Sequence, residues 1–325
     1  MYVVTGGAGF IGSALIWRLN QVGIDGIVIV DDLGSSKKWK NIRQLRYADY
    51  VQRDFFLRML EEDALPWPLT AVAHLGACSN TAERDAEFLM RNNFKYSQTL
   101  CRLALKHGAR FVNASSAATY GDGSQGFADS LDKLRGLVPL NMYGYSKHAF
   151  DLWLMREGLL GQVVSLKFFN VYGPNEYHKG NMRSVVCKAW HEISASGRLR
   201  LFRSNHPDYP DGGQLRDFIY VKDCADILLW FLSRHSGGGI YNVGTGAART
   251  WNDLAYAVFL AMGRETRIEY VDMPEELHGG YQNFTRADMG WLERLHCPVR
   301  MHSLEDGVRD YVCRYLAMPN PYLAS

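Results

Sequence analysis

The chain has 325 residues, of which 47% are hydrophobic and 22% charged, and its formal net charge is +2. A chain of this length can bury a large core and is expected to form two lobes around a cleft. It carries no basic run that would follow a phosphodiester backbone, and no apolar stretch near the roughly 20 residues that span a bilayer. Nucleic acid and membrane are therefore not expected as partners.

The first residues and the cysteines both indicate a cytoplasmic protein. Met1 leads directly into an apolar run, without the basic region, long apolar segment and cleavage site of a secretory signal. The six cysteines include no C-x-x-C pair, and the ten histidines show no metal-ligand spacing. We therefore expect buried, reduced thiols and no metal site.

Short apolar runs alternate with helix-length amphipathic segments over the first half of the chain. The runs that predict strands are residues 2–5, 27–30, 71–75, 111–114 and 163–169. Buried strands separated by helical crossovers are typical of a parallel, doubly wound α/β sheet with helices on both faces. Ligands of such a sheet bind at the carboxyl ends of its strands.

The pattern changes after Tyr172, where a polar loop, a helical stretch and the turn-rich residues 204–213 follow. Residues 218–221, an apolar helix over 225–232 and a strand over 240–243 then predict a return to the sheet. We predict a cofactor domain of residues 1–170 plus 215–246. A smaller, mixed α/β substrate-binding domain would comprise residues 171–214 plus 247–325.

Three glycines, Gly6, Gly9 and Gly12, follow the first predicted strand and open a helix. Glycines at this position permit a tight turn and let a pyrophosphate approach the helix N-terminus, which predicts a Rossmann dinucleotide site. Asp31 lies about 20 residues further on, where an acid can bind the adenosine ribose of NAD. Lys38 follows closely and could instead pair with the 2′-phosphate of NADP. The residues themselves leave NADP and NAD both open.

A second group of residues indicates acid–base chemistry. Tyr143 and Lys147 lie one helical turn apart and share a face, and Ser116 follows the fourth predicted strand. A neighbouring ammonium favours the phenolate, so Tyr143 could take a proton from a sugar hydroxyl while Ser116 binds the reacting oxygen. The spacing of Tyr143 and Lys147 is also common on helices without any function.

These motifs resemble the extended short-chain dehydrogenase/reductases that act on nucleotide sugars. The resemblance rests on the glycine loop, on Ser-Ser-Ala-Ala-Thr-Tyr-Gly at 115–121, on the Tyr143/Lys147 pair and on residues 169–174. More particular segments resemble the ADP-glyceromanno-heptose 6-epimerases within that superfamily. These segments are residues 74–79, Asn-Asn at 92–93, Glu-Tyr-His-Lys-Gly at 176–180, and Gly-Tyr-Gln-Asn-Phe-Thr at 280–285.

The resemblance implies an NADP-dependent inversion at carbon 6 of an ADP-bound heptose, which supplies the lipopolysaccharide inner core, by a homo-oligomer that is pentameric in the family. It implies that Lys179 is a second acid/base beside Tyr143, and that Lys147 also holds the nicotinamide ribose. Together with the glycine loop, the implied cofactor contacts are Gly6, Gly9, Phe10, Ile11, Gly12, Asp31, Asp32, Lys38, Arg53, Leu75, Gly76, Ala77, Cys78, Ser79, Asn92, Lys147, Val171 and Lys179. The implied substrate contacts are Asn170, Asn181, Lys188, Phe202, Arg203, Ser204, Asn205, Arg216 and Tyr281.

Some positions depart from the family pattern and leave the exact sugar and nucleotide open. Asn181 stands where a serine is usual, Lys188 stands where a histidine is usual, residues 202–205 are more basic than expected, and residues 207–214 lengthen a loop near the pocket. For the oligomer, we expect Trp153 and Trp190 to be exposed on helices and available for subunit contacts.

Two alternatives remain. One is another nucleotide-sugar 4-epimerase or 4,6-dehydratase of the same superfamily. A dehydratase would carry an Asp-Glu pair after its catalytic Ser or Thr, whereas Ala117 and Ala118 follow Ser116 here. The other alternative is a catalytically silent NADP-binding module, which the presence of Ser116, Tyr143 and Lys147 argues against.

Overall fold

A computed structural model describes residues 1–234, 237–274 and 281–325, so that Gly280 of the segment 280–285 lies outside the described residues. Seven parallel strands form the main sheet, which confirms the predicted Rossmann fold class. In spatial order they are β10 (Gly239–Val243), β6 (Val163–Phe168), β5 (Arg110–Ser116), β4 (Ala71–His74), β1 (Tyr2–Thr5), β2 (Ile27–Asp31) and β3 (Asp49–Gln52).

Helices cover both faces of this sheet because its strands are apolar on both sides. Val4 and Ile29 pack into one core cluster, while their neighbours Val3 and Val28 pack into another on the opposite face. The helices of the described residues are α1 (Phe10–Gln21), α2 (Trp39–Ile42), α3 (Arg53–Glu61), α4 (Ala86–Leu89), α5 (Tyr96–Lys106), α6 (Leu131–Leu134), α7 (Met142–Arg156), α8 (Val185–Ser196), α9 (Val221–Leu232), α10 (Trp251–Ala261), α11 (Trp291–Arg294) and α12 (Leu304–Tyr311). None of these helices is long and apolar enough to cross a bilayer.

Two small sheets lie outside the seven-stranded sheet. One joins β7 (Asn170–Tyr172), β9 (Leu215–Tyr220) and β11 (Ala248–Thr250), and the other pairs β8 (Leu199–Phe202) with β12 (Ile268–Val271). The predicted return of residues 218–221 to the main sheet is therefore wrong. An apolar run predicts a buried strand without saying which sheet it joins, and these residues pack against α8, α10 and α12. The strand at 240–243 does join the main sheet, as predicted.

Two expectations about side-chain exposure need correction. Trp153 is buried against Phe150 under the main sheet, so it is not available for subunit contacts. The buried face of its helix also carries polar side chains such as Lys147 and Asp151, so the hydrophobic periodicity does not show which way Trp153 points. All six cysteines are free thiols; three are buried, but Cys313 is exposed.

Candidate active site

The turn between β1 and α1 forms a glycine cradle. Gly6 has a φ of +65°, and a Cβ added there would lie 2.7 Å from the backbone of Gly76 at the end of β4. A Cβ added to Gly12 would lie 2.2 Å from the Gly6 carbonyl oxygen. The first turn of α1 carries no acidic residue. The cradle therefore brings free backbone N–H groups and the positive end of α1 to one place, as a pyrophosphate requires.

Asp31 connects the end of β2 to this cradle. One oxygen of its carboxylate accepts a hydrogen bond of 2.9 Å from the backbone N–H of Ala8, and the other is 2.6 Å from the Lys38 ammonium. Asn41 donates to the Ala8 carbonyl, while the buried Oδ1 of Asn41 has no partner in the part of the chain that the structure describes. Because a buried polar oxygen is rarely left unpaired, this edge of the cradle fits a bound polar group.

Arg53 and its partners form a second charged group in the cleft that contains Asp31. Arg53 contacts the side-chain oxygen of Asn92, pairs with Asp32 at 3.4 Å and lies over the ring of Tyr96. Arg53 and Lys38 thus place two positive charges where β2 and β3 end. This is the end of the cleft where a Rossmann domain holds adenosine.

Ser116 and Tyr143 meet where β5 ends and α7 begins. The side chain of Asn141 caps α7 by accepting a 2.8 Å hydrogen bond from the N–H of Gly144, and a Cβ on Gly144 would lie 2.7 Å from the Ala118 carbonyl. This close approach holds α7 against the Ser116 loop. Burial raises the pKa of Tyr143, and its hydrogen bond with Ser116 opposes that shift. In the protein without bound ligands, Tyr143 is therefore a neutral phenol, and it needs a nearby cation to act as a base.

Lys147 supplies such a cation one turn further along α7. It is only 3% exposed, and its Nζ donates a 2.7 Å hydrogen bond to the Ala114 carbonyl on β5. Burial lowers the pKa of Lys147 to about 8, while the negative charge of Asp151 opposes the shift. The Lys147 side chain is consequently an ammonium at neutral pH.

A buried ion pair lies beneath these residues. The carboxylate of Asp151, the next turn of α7, is 2.7 Å from the Lys167 ammonium on β6, and both side chains are at most 1% exposed. Asp151 also accepts hydrogen bonds from Ser115 and Ser165, and Lys167 donates to Thr119. This network joins α7 to β5 and β6 directly behind Ser116 and Lys147.

Lys179 reaches the cleft from a different part of the chain. It lies in a 3₁₀ turn, Tyr177–Met182, and its Nζ is 5.2 Å from the centre of the Phe10 ring. Burial lowers the pKa of Lys179, Glu176 raises it and Lys188 lowers it further. Lys179, Ser116, Tyr143 and Lys147 all line one cleft.

Every residue predicted to contact the cofactor lines one of two clefts that share the glycine cradle. The first contains Asp32, Arg53, Cys78 and Asn92, and the second runs from the cradle to Tyr143. The second also includes residues that were not among the predicted contacts, namely Phe168, Phe169 and His178. Burial lowers the pKa of His178 to about 4, so it is neutral at neutral pH.

A third cleft shares Ser116 and Tyr143 with the second and contains the predicted Asn170, Arg216 and Tyr281. Arg216 is 6% exposed and lies against the rings of Trp251 and Tyr281. Among the described residues, its guanidinium makes one hydrogen bond, to the neighbouring Leu215 carbonyl, and no carboxylate lies within ion-pair distance. Burial lowers the pKa of Arg216, but a guanidinium stays protonated at neutral pH. A buried cation without a carboxylate partner in the described part of the chain fits an anionic ligand.

The other predicted substrate contacts are not brought to these clefts. Asn181, Lys188 and Asn205 are exposed, and Phe202 ends β8. Arg203 pairs with Asp211 and Asp272, and the N–H of Ser204 donates to Asp211. For these residues, contact with a substrate remains a prediction.

Asn93 and His74 lie in the family-like segments 92–93 and 74–79, but the sequence did not predict their supporting roles. Asn93 is buried, accepts from the N–H of Cys78 and donates to the Ser146 hydroxyl, which ties the Cys78 loop to α7. His74 contacts the hydroxyls of Thr5 and Ser97, and burial lowers its pKa to about 3. Their partners are distant in sequence, so these contacts could not be predicted from a local pattern. Asn141, in contrast, stands just before a predicted helix, where an N-cap residue is expected.

A dinucleotide cleft that opens onto a second cleft, with Ser116, Tyr143 and Lys147 at the junction, defines an enzyme of the short-chain dehydrogenase/reductase type. Residues 2–244 match the NAD dependent epimerase/dehydratase family, and the chain belongs to that family. No group of three or more metal-ligating side chains occurs in residues 1–234, 237–274 and 281–325.

Several relatives with a full-length match to this chain are named ADP-L-glycero-D-manno-heptose-6-epimerase. An ADP-L-glycero-D-manno-heptose-6-epimerase of Nitratidesulfovibrio vulgaris (Hildenborough) is 62% identical over 99% of this chain and 100% of the relative. One of Fusobacterium nucleatum is 45% identical, again over 99% and 100%. The crystal structure of the Helicobacter pylori ADP-L-glycero-D-manno-heptose-6-epimerase has a TM-score of 0.80 at 25% identity, with 98% and 96% coverage. Within the wider family, the chain groups with these 6-epimerases.

Fold similarity extends to enzymes with other sugars. A UDP-N-acetylglucosamine 4-epimerase from Methanobrevibacter ruminantium has a TM-score of 0.79 at 25% identity, and the match covers 96% of each chain. The two TM-scores differ by only 0.01, so the fold does not distinguish the sugar. That distinction depends on the sequence relatives and on the residues of the third cleft.

Proposed function

We propose that the protein interconverts ADP-D-glycero-D-manno-heptose and ADP-L-glycero-D-manno-heptose at carbon 6, with NADP as cofactor, for the inner core of lipopolysaccharide. The observation that carries the proposal is that Tyr143 on α7 and Lys179 on a separate turn line one cleft, with Ser116 beside Tyr143. Inversion needs an acid/base for the hydroxyl of each epimer, and two separate groups supply it.

A bound nicotinamide dinucleotide supplies the reversible oxidation of the carbon that carries the hydroxyl. Tyr143 takes the hydroxyl proton of one epimer, and the Lys147 ammonium one turn away favours the phenolate that this requires. Ser116 donates a hydrogen bond to the reacting oxygen. Lys179 holds and returns the proton for the other epimer, which is bound with carbon 6 turned towards the opposite wall.

Arg216 would bind the pyrophosphate of the ADP-sugar. The guanidinium has no carboxylate partner within ion-pair distance among the described residues, and two aromatic rings fix its plane. A pyrophosphate offers oxygen pairs that match the guanidinium fork, and the charge-assisted hydrogen bonds would offset its burial. The hydrogen bond of 2.9 Å from Trp251 to the Tyr281 hydroxyl holds the two rings together.

NADP, rather than NAD, is favoured by the charges near Asp31. Lys38 neutralises the Asp31 carboxylate, which in an NAD enzyme would accept the ribose hydroxyls. Arg53 adds a second cation in the same cleft. Two cations would offset the charge of a 2′-phosphate, which Asp31 alone would repel.

We also propose the division into a cofactor domain (1–170 plus 215–246) and a substrate-binding domain (171–214 plus 247–325), and a cytoplasmic homo-oligomer. The family resemblance supports the oligomer. Exposed apolar side chains such as Val138 and Leu140, next to the third cleft, would be covered in such an assembly.

The function is tested by incubating the purified protein, without added cofactor, with ADP-D-glycero-D-manno-heptose and separating the two epimers by chromatography. We expect an equilibrium mixture, and mass spectrometry of nucleotide released on denaturation should show NADP. The variant Arg216→Met should need a much higher substrate concentration, which would locate binding in the third cleft. If no conversion occurs even with added NADP, the heptose assignment is wrong, and a panel of UDP-, GDP- and dTDP-sugars becomes the next experiment.

A further inference from the structure

A fully buried carboxylate lies three residues before Lys179. The side chain of Glu176 is 0% exposed and is surrounded by hydrogen-bond donors. Oε1 accepts from the Ser184 hydroxyl at 2.6 Å, from the Tyr311 hydroxyl at 3.1 Å and from the N–H of Gly173 at 3.4 Å. Oε2 accepts from the N–H of Ser184. These hydrogen-bond donors favour the ionised carboxylate, whereas burial, the largest influence, raises the pKa of Glu176 above its usual value.

These hydrogen bonds join three elements, of which one, α12, is distant in sequence from Glu176. Ser184 caps α8, Tyr311 ends α12, and Gly173 follows β7. The backbone N–H of Lys179 in turn donates to the Glu176 carbonyl at 3.0 Å. Glu176 therefore fixes the start of the turn from which the Lys179 side chain enters the cleft.

Glu176 also supplies the negative charge that acts on Lys179. The other charged or titratable groups around Lys179 are Lys188 on α8, His178 in the same turn, Tyr143 and Lys147 on α7, and Asp31 and Lys38 after β2. Lys188 repels the ammonium, and the charge of Asp31 is already paired with Lys38. The ammonium form of Lys179 thus depends on a carboxylate that no solvent screens.

We propose that Glu176 is a positioning residue that orients Lys179 and serves as its buried counter-charge. The mechanistic meaning rests on the proposed role of Lys179 as the second acid/base. A neutral residue at position 176 would leave Lys179 facing Lys188 without compensation. The neutral amine would then be favoured, and Lys179 would lose its proton at a lower pH.

The test measures the pKa of Lys179 directly, in the full-length protein without sugar, by competitive labelling with an amine-reactive reagent over a pH series and peptide mass spectrometry. In Glu176→Gln we expect the midpoint for Lys179 to fall by about one pH unit. The matched control is Tyr311→Phe, which loses a hydrogen bond to the same carboxylate but keeps its charge, and which should retain the wild-type midpoint. Equal midpoints in Glu176→Gln and wild type, or an equal fall in both variants, would overturn the proposal.

The reciprocal variant covers the case in which Glu176→Gln does not fold. Lys179→Met removes the cation, so the pKa of Glu176 should rise by a similar amount, measured by NMR of protein labelled with ¹³C at glutamate carboxyls. An unchanged titration of Glu176 would contradict the counter-charge. Neither measurement needs turnover, so a failed epimerase assay would reject the proposed function and leave this inference separately testable.

Discussion

The two proposed acid/bases are held by different kinds of structure. Tyr143 lies on α7, a regular helix of 15 residues, with the Asp151–Lys167 ion pair beneath it. Lys179 lies on a six-residue 3₁₀ turn with no buried residues of its own, held by the side chains of Asn175 and Glu176. The first depends on packing within the Rossmann core, and the second depends on a few long-range hydrogen bonds.

This difference implies different local stabilities. A residue on a core helix moves only when the domain opens, whereas a short turn can open alone when one or two anchors are lost. Rotation of a sugar between two half-reactions requires one wall of the cleft to tolerate two substrate poses. We expect the turn Tyr177–Met182 to be that wall, because the residues that hold it, Asn175 and Glu176, stand at its start and not along its length.

The largest effect is expected on the epimerisation rate when Tyr143 on α7 is changed. Tyr143→Phe removes the proton acceptor while it keeps the ring, and we expect the epimerisation rate constant to fall by about 10³-fold, or about 4 kcal/mol in barrier. Tyr145→Phe, on the exposed side of the same helix, is the matched control and should retain wild-type turnover. A fall of less than tenfold in Tyr143→Phe would mean that another group takes the proton.

The buried ion pair should give the next largest effect, on stability. Asp151→Asn leaves Lys167 as an uncompensated buried cation and should lower the free energy of unfolding by about 3 kcal/mol, measured by urea denaturation. The double variant Asp151→Asn/Lys167→Met removes both charges and should recover much of this loss. If the double variant is as unstable as the single one, the hydrogen bonds and not the charges hold this region.

The pH dependence of the epimerisation rate tests whether the positive charge of Lys147 on α7 is required. Lys147 must be an ammonium, and its pKa is about 8, so the rate should fall about tenfold for each pH unit above that value. Asp151 raises this pKa, so in the double variant Asp151→Asn/Lys167→Met the alkaline limb should move to lower pH. A profile that stays flat up to pH 10 would show that the Lys147 charge is not required.

The smallest effect is expected at the turn. Asn175 has a φ of +76°, donates to the Ser13 hydroxyl and accepts from the N–H of Leu323. Asn175→Ala should cost about 1 kcal/mol, mainly as faster hydrogen exchange of residues 173–184, with α7 unchanged. Asn175→Gly keeps the backbone conformation but loses the hydrogen bonds, and so separates the two causes. If hydrogen exchange in α7 became faster by as much as in residues 173–184, the turn and α7 would not have separate local stabilities.

Local sequence patterns were sufficient to predict the part of the site formed by the glycine cradle, Asp31, Tyr143 and Lys147. The glycine spacing, the acid after β2 and the four-residue spacing of Tyr143 and Lys147 are short-range signals, and the structure places all these residues along joined clefts. The main sheet was predictable for the same reason, because buried parallel strands give continuous apolar runs.

The remaining part of the site depends on contacts between residues that are far apart in the sequence, which local patterns do not reveal. Glu176 and Tyr311 are 135 residues apart, and Asn175 and Leu323 are 148 residues apart. Arg203 remains a predicted substrate contact, and the sequence did not reveal that acids of the inserted loop and of the segment after β12 pair with it. Trp153 and β9 were misjudged because apolar content alone does not say which face or which sheet a segment joins.

The last residues of the chain have a practical consequence for anyone who engineers the protein. The Tyr177 hydroxyl donates to the Pro321 carbonyl at 2.7 Å, and the N–H of Leu323 donates to Asn175, so the tail is held against the turn that carries Lys179. A purification tag, a reporter or a deletion close to Leu323 would therefore disturb the proposed second acid/base. An exposed turn such as the one at Gly161, where an added Cβ meets nothing within 4 Å, is a safer place for a label.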